Sequence, residues 1–300
     1  MIAIAAPLLR QAALICGIVV AVFFLIRIVP GDAADILALE GDLTEAEIVE
    51  IRTELGLDRP AHEQFVRWLA RAIEGDFGLS LRFERPVADM IGFAVPATLA
   101  LAASSLAIGL GIGIALAVLA AIWPRSPFGW LVEAVNVWSI AIPTFCVGLA
   151  AILIFSIWLG WMPVLGNTLI PAIVIGIDVA GQIVKPLHEE LKETASASFV
   201  RAARAHGESR ARIVFARLLP NAAPVAIALS GLITAGLIGG TLTMEVLFGL
   251  PGLGTLALQA IQGRDYPVVQ AVILLFAVLI VVVNAATDLC QRLIDPRLRQ

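Results

Sequence analysis

SFVRAARAHGESRARIVFARLLP, residues 198–220, interrupts an otherwise apolar chain with a basic, alanine-rich segment whose placement decides how the chain is threaded. Arg201, Arg204, Arg210, Arg212 and Arg217 crowd a stretch flanked on both sides by runs long enough to cross a bilayer. Ala202, Ala203 and Ala205 lie among the arginines, and Gly207 stands where a helix C′ position takes a positive φ without steric cost. Ser209 suits the N-cap of a second helical segment, Ile213, Val214 and Leu218 give that segment an apolar stripe, and Pro220 is expected to stop it. The reading is helix, glycine turn, helix. A small-residue face lets another protein approach the backbone closely, while the arginines stay wet or pair with carboxylates. On composition alone the stretch is equally a basic cytoplasmic loop that follows the positive-inside tendency.

The 300-residue chain is 60% hydrophobic and 15% charged, against about 45–50% and about 25% in soluble domains. With a mean hydropathy of +0.95, it reads as a polytopic membrane protein. The net charge of −4 says little by itself, because orientation follows where lysine and arginine lie. Cys16, Cys146 and Cys290 sit far apart in apolar runs without metal-ligand spacing, so neither a disulfide framework nor a zinc site is expected. The first apolar run continues to residue 29 with no small-residue cleavage site before it, so no secretory signal is expected.

A spanning helix needs roughly 20 mainly apolar residues. Six runs qualify: 8–29, 98–123, 134–160, 168–184, 222–247 and 268–289. Residues 185–220 carry Lys185, Lys192 and the arginines named above, and the tail carries Arg292, Arg297 and Arg299. The connection 161–167 has no basic residue and 249–267 has only Arg264. Both termini, the 124–133 loop with Arg125 and the arginine-rich loop are therefore expected on the cytoplasmic side. The connection 30–97 falls outside. There Thr44-Glu45-Ala46-Glu47 fits a capping box, followed by Ile48, Ile51 and Leu55 at helical spacing until Gly56. Asp58 is expected to cap a second helix, with Pro60 in its first turn, an apolar face of Phe65, Trp68, Leu69, Ala72 and Ile73, and Gly75 as the stop. Residues 86–91 read as a short interfacial element. The expected organisation is an N-terminal helix at 1–30, an external helical segment at 31–97, a five-span core at 98–290 with its cytoplasmic loop at about 185–221, and a tail at 291–300. The external segment either docks a partner or shields the mouth of a pathway.

The second span is built from small residues, with Gly109 and Gly113 at the spacing that lets neighbouring helices approach closely. The fifth ends in Gly239 and Gly240 and leaves through Glu245-Val246-Leu247-Phe248-Gly249-Leu250-Pro251-Gly252. Such backbone is tolerated at membrane depth where it lines a cavity or is buried in protein, which makes Gly240 and Glu245 candidates for a pathway. No catalytic constellation survives inspection. Ser104 and Ser105 have no histidine in their span, and His62, His188 and His206 are divided between external and cytoplasmic segments. No Gly-x-x-x-x-Gly-Lys phosphate loop is present, so energy is expected from a partner or an ion gradient. Arg27 and Asp288 lie near span ends, where side chains snorkel. Asp178 is different. A carboxylate at mid-depth costs roughly 2.5–3.5 kcal/mol on insertion scales and should face water, another subunit or a hydrogen-bonding partner. Binding of a cation or amine and interhelical pairing both fit it.

These residues resemble the permease subunits of bacterial ABC importers for dipeptides, oligopeptides and nickel, and more closely the first of the two permeases such systems encode. The resemblance runs through Pro30-Gly31-Asp32, Leu55-Gly56-Leu57-Asp58-Arg59-Pro60, Gly75-Asp76-Phe77-Gly78-Leu79-Ser80, Pro96-Ala97-Thr98-Leu99-Ala100-Leu101, Glu245 with Phe248 and Pro251-Gly252-Leu253-Gly254, Arg264-Asp265-Tyr266-Pro267, and Asp295-Pro296-Arg297. It implies an all-α, six-span permease of the type I importer kind. It implies a homologous second permease subunit, two ABC ATPase subunits that bind ATP and Mg²⁺ while this chain carries no cofactor, and an extracytoplasmic substrate-binding protein. The basic loop resembles the family's EAA loop, which docks into the ATPase, and this assigns coupling to Phe199, Arg201, Ala203, Arg204, Ala205, His206, Gly207 and Arg212. His206 stands where lysine is common, Ser198-Phe199 replaces an aspartate–tyrosine pair, and Arg217 replaces a histidine. A helix over 199–212 is expected to move with the ATPases as a lever. Asp178, Glu245 and Gly240 are the expected pathway residues. The substrate implied is a di- or oligopeptide, with nickel chelates, opines and sugars as alternatives. An ion-coupled secondary transporter working through Asp178 is the rival from another class.

Overall fold

A bilayer leaves no water for unpaired backbone groups, so apolar runs of this length close their hydrogen bonds internally as helices. The computed structural model describes residues 2–28, 44–54 and 56–294, and every regular element among them is helical. In chain order these are α1 Ile2–Ile26, α2 Glu45–Glu54, α3 Ala61–Ile73, α4 Val87–Ile122, α5 Phe128–Ala141, and α6 Thr144–Ala151 with its wide π-helical continuation Ile152–Trp158. There follow α7 Leu169–Thr194, α8 Ser198–Ala205, α9 Arg210–Ile213, α10 Leu219–Gly240, α11 Leu242–Leu247, α12 Leu253–Gln262 and α13 Tyr266–Ile294. The motifs at 30–32 and 295–297, with Leu55, lie outside the described residues.

Among the described residues four helices are long and apolar enough to cross a membrane unaided: Val87–Ile122, Leu169–Thr194, Arg210–Gly240 and Tyr266–Ile294. The bent pair α5–α6 passes the same test of length and apolarity only when its two helices are taken together, and α1 carries the remaining apolar run. The expected third span, 134–160, is therefore not one rod. It begins at Phe128 and bends by 96° between α5 and α6. Pro143 is the cause: the residue before a proline is pushed out of the helical region, and Ile142 is extended at φ −115° and ψ 116°.

Other boundaries also move. The fourth span runs ten residues past Val184, to Thr194, passing Lys185 and Pro186. Residues 86–91 are not a separate interfacial element, because Val87 already opens the 36-residue α4. Asp58 does not cap α3, whose N-cap is Pro60 with no side-chain hydrogen bond. The capping box of α2 does form, with Thr44 N–H donating to Glu47 Oε2 at 2.8 Å and Glu47 N–H to Thr44 Oγ1 at 3.4 Å. Pro220 does not stop a helix. The chain before it widens into a π turn over Val214–Leu218, in which Leu219 N–H reaches back to Val214 O, and the helix continues. A wide turn relieves the clash and the lost donor that a proline brings to a helix interior, so Arg210–Gly240 forms one 31-residue helix.

The chain divides into two compact units, residues 1–97 with 251–281, and residues 98–250 with 282–300. In the second, α7 is central, burying Val179, Ile183, Val184, Leu187 and Leu191 completely. Gly109 and Gly113 of α4 face it closely: a Cβ on Gly109 would lie 2.3 Å from Val179 Cγ1, and one on Gly113 would lie 3.3 Å from Ala180 O. On the other side of α7, a Cβ on Gly181 would lie 2.3 Å from Ser139 Cβ of α5. In the first unit, Phe23 of α1 is buried against α3, with its ring 5.1 Å from Phe65 and 5.8 Å from Trp68. A second cluster there joins Val87, Ile91 and Ala94 to Leu253, Ala257, Val268 and Val272.

Candidate functional site: the basic turn and the carboxylates near it in sequence

The helix–turn–helix reading of residues 198–220 is correct in kind and wrong in extent. The helix expected over 199–212 is two helices, α8 and α9, separated by Gly207 at φ +79°. Gly207 N–H bonds Arg204 O at 3.0 Å and Glu208 N–H bonds Ala203 O at 3.2 Å, the paired closure of a Schellman turn, which needs a left-handed residue at C′. Ser209 caps the next helix as expected, its hydroxyl accepting from Arg212 N–H at 3.3 Å. Arg217 and Glu208 pair at 3.0 Å across the turn.

The two faces of α8 differ. Val200 and Ala203 are buried in the same cluster as Leu187, Leu191, Ile213, Val214 and Leu218. Phe199, Arg201, Ala202, Arg204, Ala205, His206 and Gly207 are exposed, as is Arg212 on α9. Ala203 thus packs inward and lets α8 lie close on its own protein, while the exposed residues form the outer surface. Of the basic groups there, Arg204 reaches Ala195 O at 3.5 Å and His206 Nδ1 contacts Ala202 O at 2.8 Å, so both are tethered to nearby backbone.

Asp178 sits opposite the break between α5 and α6. Gln182 Nε2 donates to its Oδ2 at 3.0 Å, and the hydroxyls of Ser139, near the end of α5, and Thr144, at the start of α6, lie beside the same carboxylate. Asn136 Nδ2 adds a bond to Gly181 O at 3.0 Å. A short α6 whose N-cap is a proline without a capping side chain thus gains a carboxylate at its N-terminus, where the helix dipole favours negative charge. Ser139 and Thr144 were not singled out in the sequence; their position on either side of a proline in an apolar run is the signal that marks them.

Glu245 on α11 is fully buried, with Thr98 Oγ1 donating to its Oε1 at 2.7 Å and Thr241 Oγ1 at 3.0 Å. Gly240 ends α10 with open space around its Cβ position. A further buried carboxylate, Asp265, binds Ser80 Oγ at 2.5 Å and the N–H groups of Leu81 and Arg82 at 3.3 and 3.5 Å. It fastens the turn after α3 to the α12–α13 corner inside the first unit. In the sequence Asp265 stood only as part of a family motif.

Two family descriptions match the chain: a binding-protein-dependent transport system inner membrane component over residues 113–300, and the N-terminal part of such a membrane component over residues 8–102. The chain belongs to the binding-protein-dependent transport system inner membrane component family. It is a permease subunit of an ABC importer, a membrane-embedded transport component and not an enzyme, of the kind that works with a partner permease, ATPases and a binding protein. Glutathione transport system permease proteins of Escherichia coli K12 and of Shigella dysenteriae serotype 1 are 34% identical to it over 286 residues, covering 93% of each chain. Two inward-facing structures of the MetNI methionine ABC transporter align at TM-scores of 0.58 and 0.56 with 22% identity, covering 69% of this chain and 96% of theirs. That likeness shows the fold, an all-helical type I importer permease.

Proposed function

We propose that this chain is one half of the translocation pathway of an ATP-driven importer for short peptides, with α8, Gly207 and α9 as the element that docks an ATPase. The observation carrying the docking assignment is the Schellman-closed turn at Gly207, which holds an exposed basic face at the N-terminal end of the continuous helix Arg210–Gly240. In this reading Phe199, Arg201, Arg204, Ala205, His206 and Arg212 meet the ATPase, and Ala203 seats α8 on the permease. ATP and Mg²⁺ are held by the partner subunits. Both termini and the α8–α9 turn are cytoplasmic, and α2 and α3 are external. Short peptides are favoured by the glutathione permeases, which are similar over 93% of the chain. Asp178 and Gly240 border the pathway, and Glu245 positions α11 beside it.

The test is reconstitution of this chain with its partner permease, both ATPases and the binding protein in liposomes. Uptake of labelled glutathione or a dipeptide should require ATP and the binding protein and ignore ionophores. Uptake driven by a cation gradient without the ATPases would overturn the proposal in favour of ion coupling through Asp178.

A further inference from the structure

A cavity of about 780 Å³ opens within the first unit, bordered by the end of α1, by α3 and the turn after it, and by the start of α13. Its volume falls in the range of small-molecule sites, about 300–1,000 Å³. Arg27, Arg59, Arg67 and Arg71 line it, and Asp76 is the carboxylate among its described lining residues. Asp76 is itself occupied, accepting from Gly78 N–H at 2.9 Å. Among the described residues none of the four arginines is in an ion pair. Arg27 is held by neutral partners, with Gln64 Oε1 at 3.0 Å, Phe23 O at 3.0 Å and the Phe23 ring 3.5 Å below its guanidinium.

Gln64, Trp68 and Gln270 add to the polar part of the lining. A lining with four guanidinium groups and one carboxylate that is already engaged calls for an acceptor-rich anion. Guanidinium groups favour phosphate oxygens, which they bind through paired, charge-assisted bonds.

The apolar part of the lining says which kind of anion. Ile26 is the last residue of the apolar helix α1, and Phe77 and Leu79 form another wall. Trp68 and Tyr266 also line the cavity, the residue types that collect where hydrocarbon meets water. Nearby, Val66, Ile73 and Leu79 are 63%, 79% and 60% exposed, a surface suited to lying against a bilayer boundary. We propose that this cavity is a head-group site for an anionic glycerophospholipid. The phosphodiester takes the arginine donors, and the acyl chains leave past Ile26 and Leu79 into the membrane. The head group fastens the end of α1 to α3 and the corner before α13.

The test uses the full importer complex, incubated in detergent micelles with equal amounts of phosphatidylglycerol and phosphatidylcholine and analysed by native mass spectrometry. Wild type should retain phosphatidylglycerol selectively. The triple variant Arg59→Gln/Arg67→Gln/Arg71→Gln and the single variant Arg71→Gln should bind it more weakly, the triple by about tenfold or more, since one lost charge-assisted bond already corresponds to about that factor. Arg125→Gln, outside the cavity, should match wild type. Thermal unfolding of each variant complex in phosphatidylcholine alone should match wild type, which separates head-group loss from misfolding. Equal retention of the two lipids, or undiminished phosphatidylglycerol binding by both cavity variants, overturns the proposal. Displacement of the lipid by inorganic phosphate at millimolar concentration would reassign the site to free phosphate, and displacement only by the binding protein would reassign it to protein docking; either overturns the lipid reading.

Discussion

Replacing Gly207 by valine should uncouple ATP hydrolysis from transport. Its φ of +79° closes the turn between α8 and α9, and no atom lies within 4 Å of an added Cβ, so crowding plays no part and the backbone conformation alone sets the cost. An L-residue in the left-handed region costs about 1–2 kcal/mol, with β-branched residues at the upper end. Opening the turn instead gives up the bonds from Gly207 N–H to Arg204 O and from Glu208 N–H to Ala203 O, each about 0.5–1.5 kcal/mol. The two costs are similar, so the closed turn should lose roughly 1–2 kcal/mol, a factor of about 5–30 in its population. In proteoliposomes with the binding protein and labelled peptide, Gly207→Val should lower peptide imported per ATP hydrolysed by several-fold, leaving complex assembly intact. Gly207→Asn should fall between, because asparagine tolerates the left-handed region. Gly129→Ala, at a helical glycine with equally open surroundings, should match wild type. Wild-type stoichiometry in Gly207→Val would refute the assignment of this turn to coupling.

Gly109→Ala should destabilise the permease by about 1–3 kcal/mol, because the new methyl meets Val179 Cγ1 at 2.3 Å and the Gly176 carbonyl at 2.9 Å; thermal unfolding of the purified complex checks this, and Val179→Ala in the same chain should recover only part, since the carbonyl remains. Glu47 is held below the ordinary carboxylate range by the Thr44 backbone N–H and then its hydroxyl; with the folded pKa below the unfolded one, its support for α2 is present above the ordinary glutamate value of 4.5 and lost as pH falls through the lower folded value. Hydrogen exchange over residues 45–54 should therefore accelerate on acidification in wild type, and Glu47→Gln should remove that step. Asp178→Asn keeps an acceptor for Ser139 and Thr144, so uptake should survive within about threefold if the carboxylate positions the α5–α6 bend, while Asp178→Leu, which leaves both hydroxyls without it, should lower complex yield and uptake together; equal loss in both variants, at normal yield, would place the charge itself in the transport step.

Much of this fold was legible in the sequence because the bilayer constrains it so tightly. Runs such as 98–123 and 268–289 admit one backbone form, and the Thr44–Glu47 capping box and Gly207 turn are local devices whose chemistry is complete within a few residues. What was missed depended on partners distant in sequence or on how helices tolerate proline. Pro143 breaks a span by forcing Ile142 into an extended conformation, whereas Pro96, Pro186 and Pro224 sit inside continuous helices and Pro220 is absorbed by a π turn. Composition cannot tell these outcomes apart, because each depends on whether neighbouring backbone groups find other partners. The carboxylates show the same limit: Asp178 was marked by its depth, but Ser139 and Thr144 come to it only through the bend.

The geometry of residues 198–240 bears directly on how force at the ATPase would reach the membrane. Had the span begun at Ala222 and the preceding helix stopped at Pro220, as expected, a break at Asn221 would separate the α8–α9 turn from the span. Instead Arg210–Gly240 is one helix, about 46 Å long at 1.5 Å per residue. Its irregularity near the docking end, the π turn over Val214–Leu218, is packed, with Val214 and Leu218 buried in the same cluster as Val200 and Ala203 of α8. The Glu208–Arg217 pair spans the turn on the outside; being partly exposed it adds little stability, but it restricts how far Glu208 and Arg217 can separate. A displacement of α8 therefore meets a buried apolar contact and a continuous backbone, and passes as rotation or tilt of α10 more readily than as local bending at Gly207. If α8 docks an ATPase as proposed, the left-handed glycine sets the angle at which it does so, through its φ of +79° and the two hydrogen bonds that close the turn.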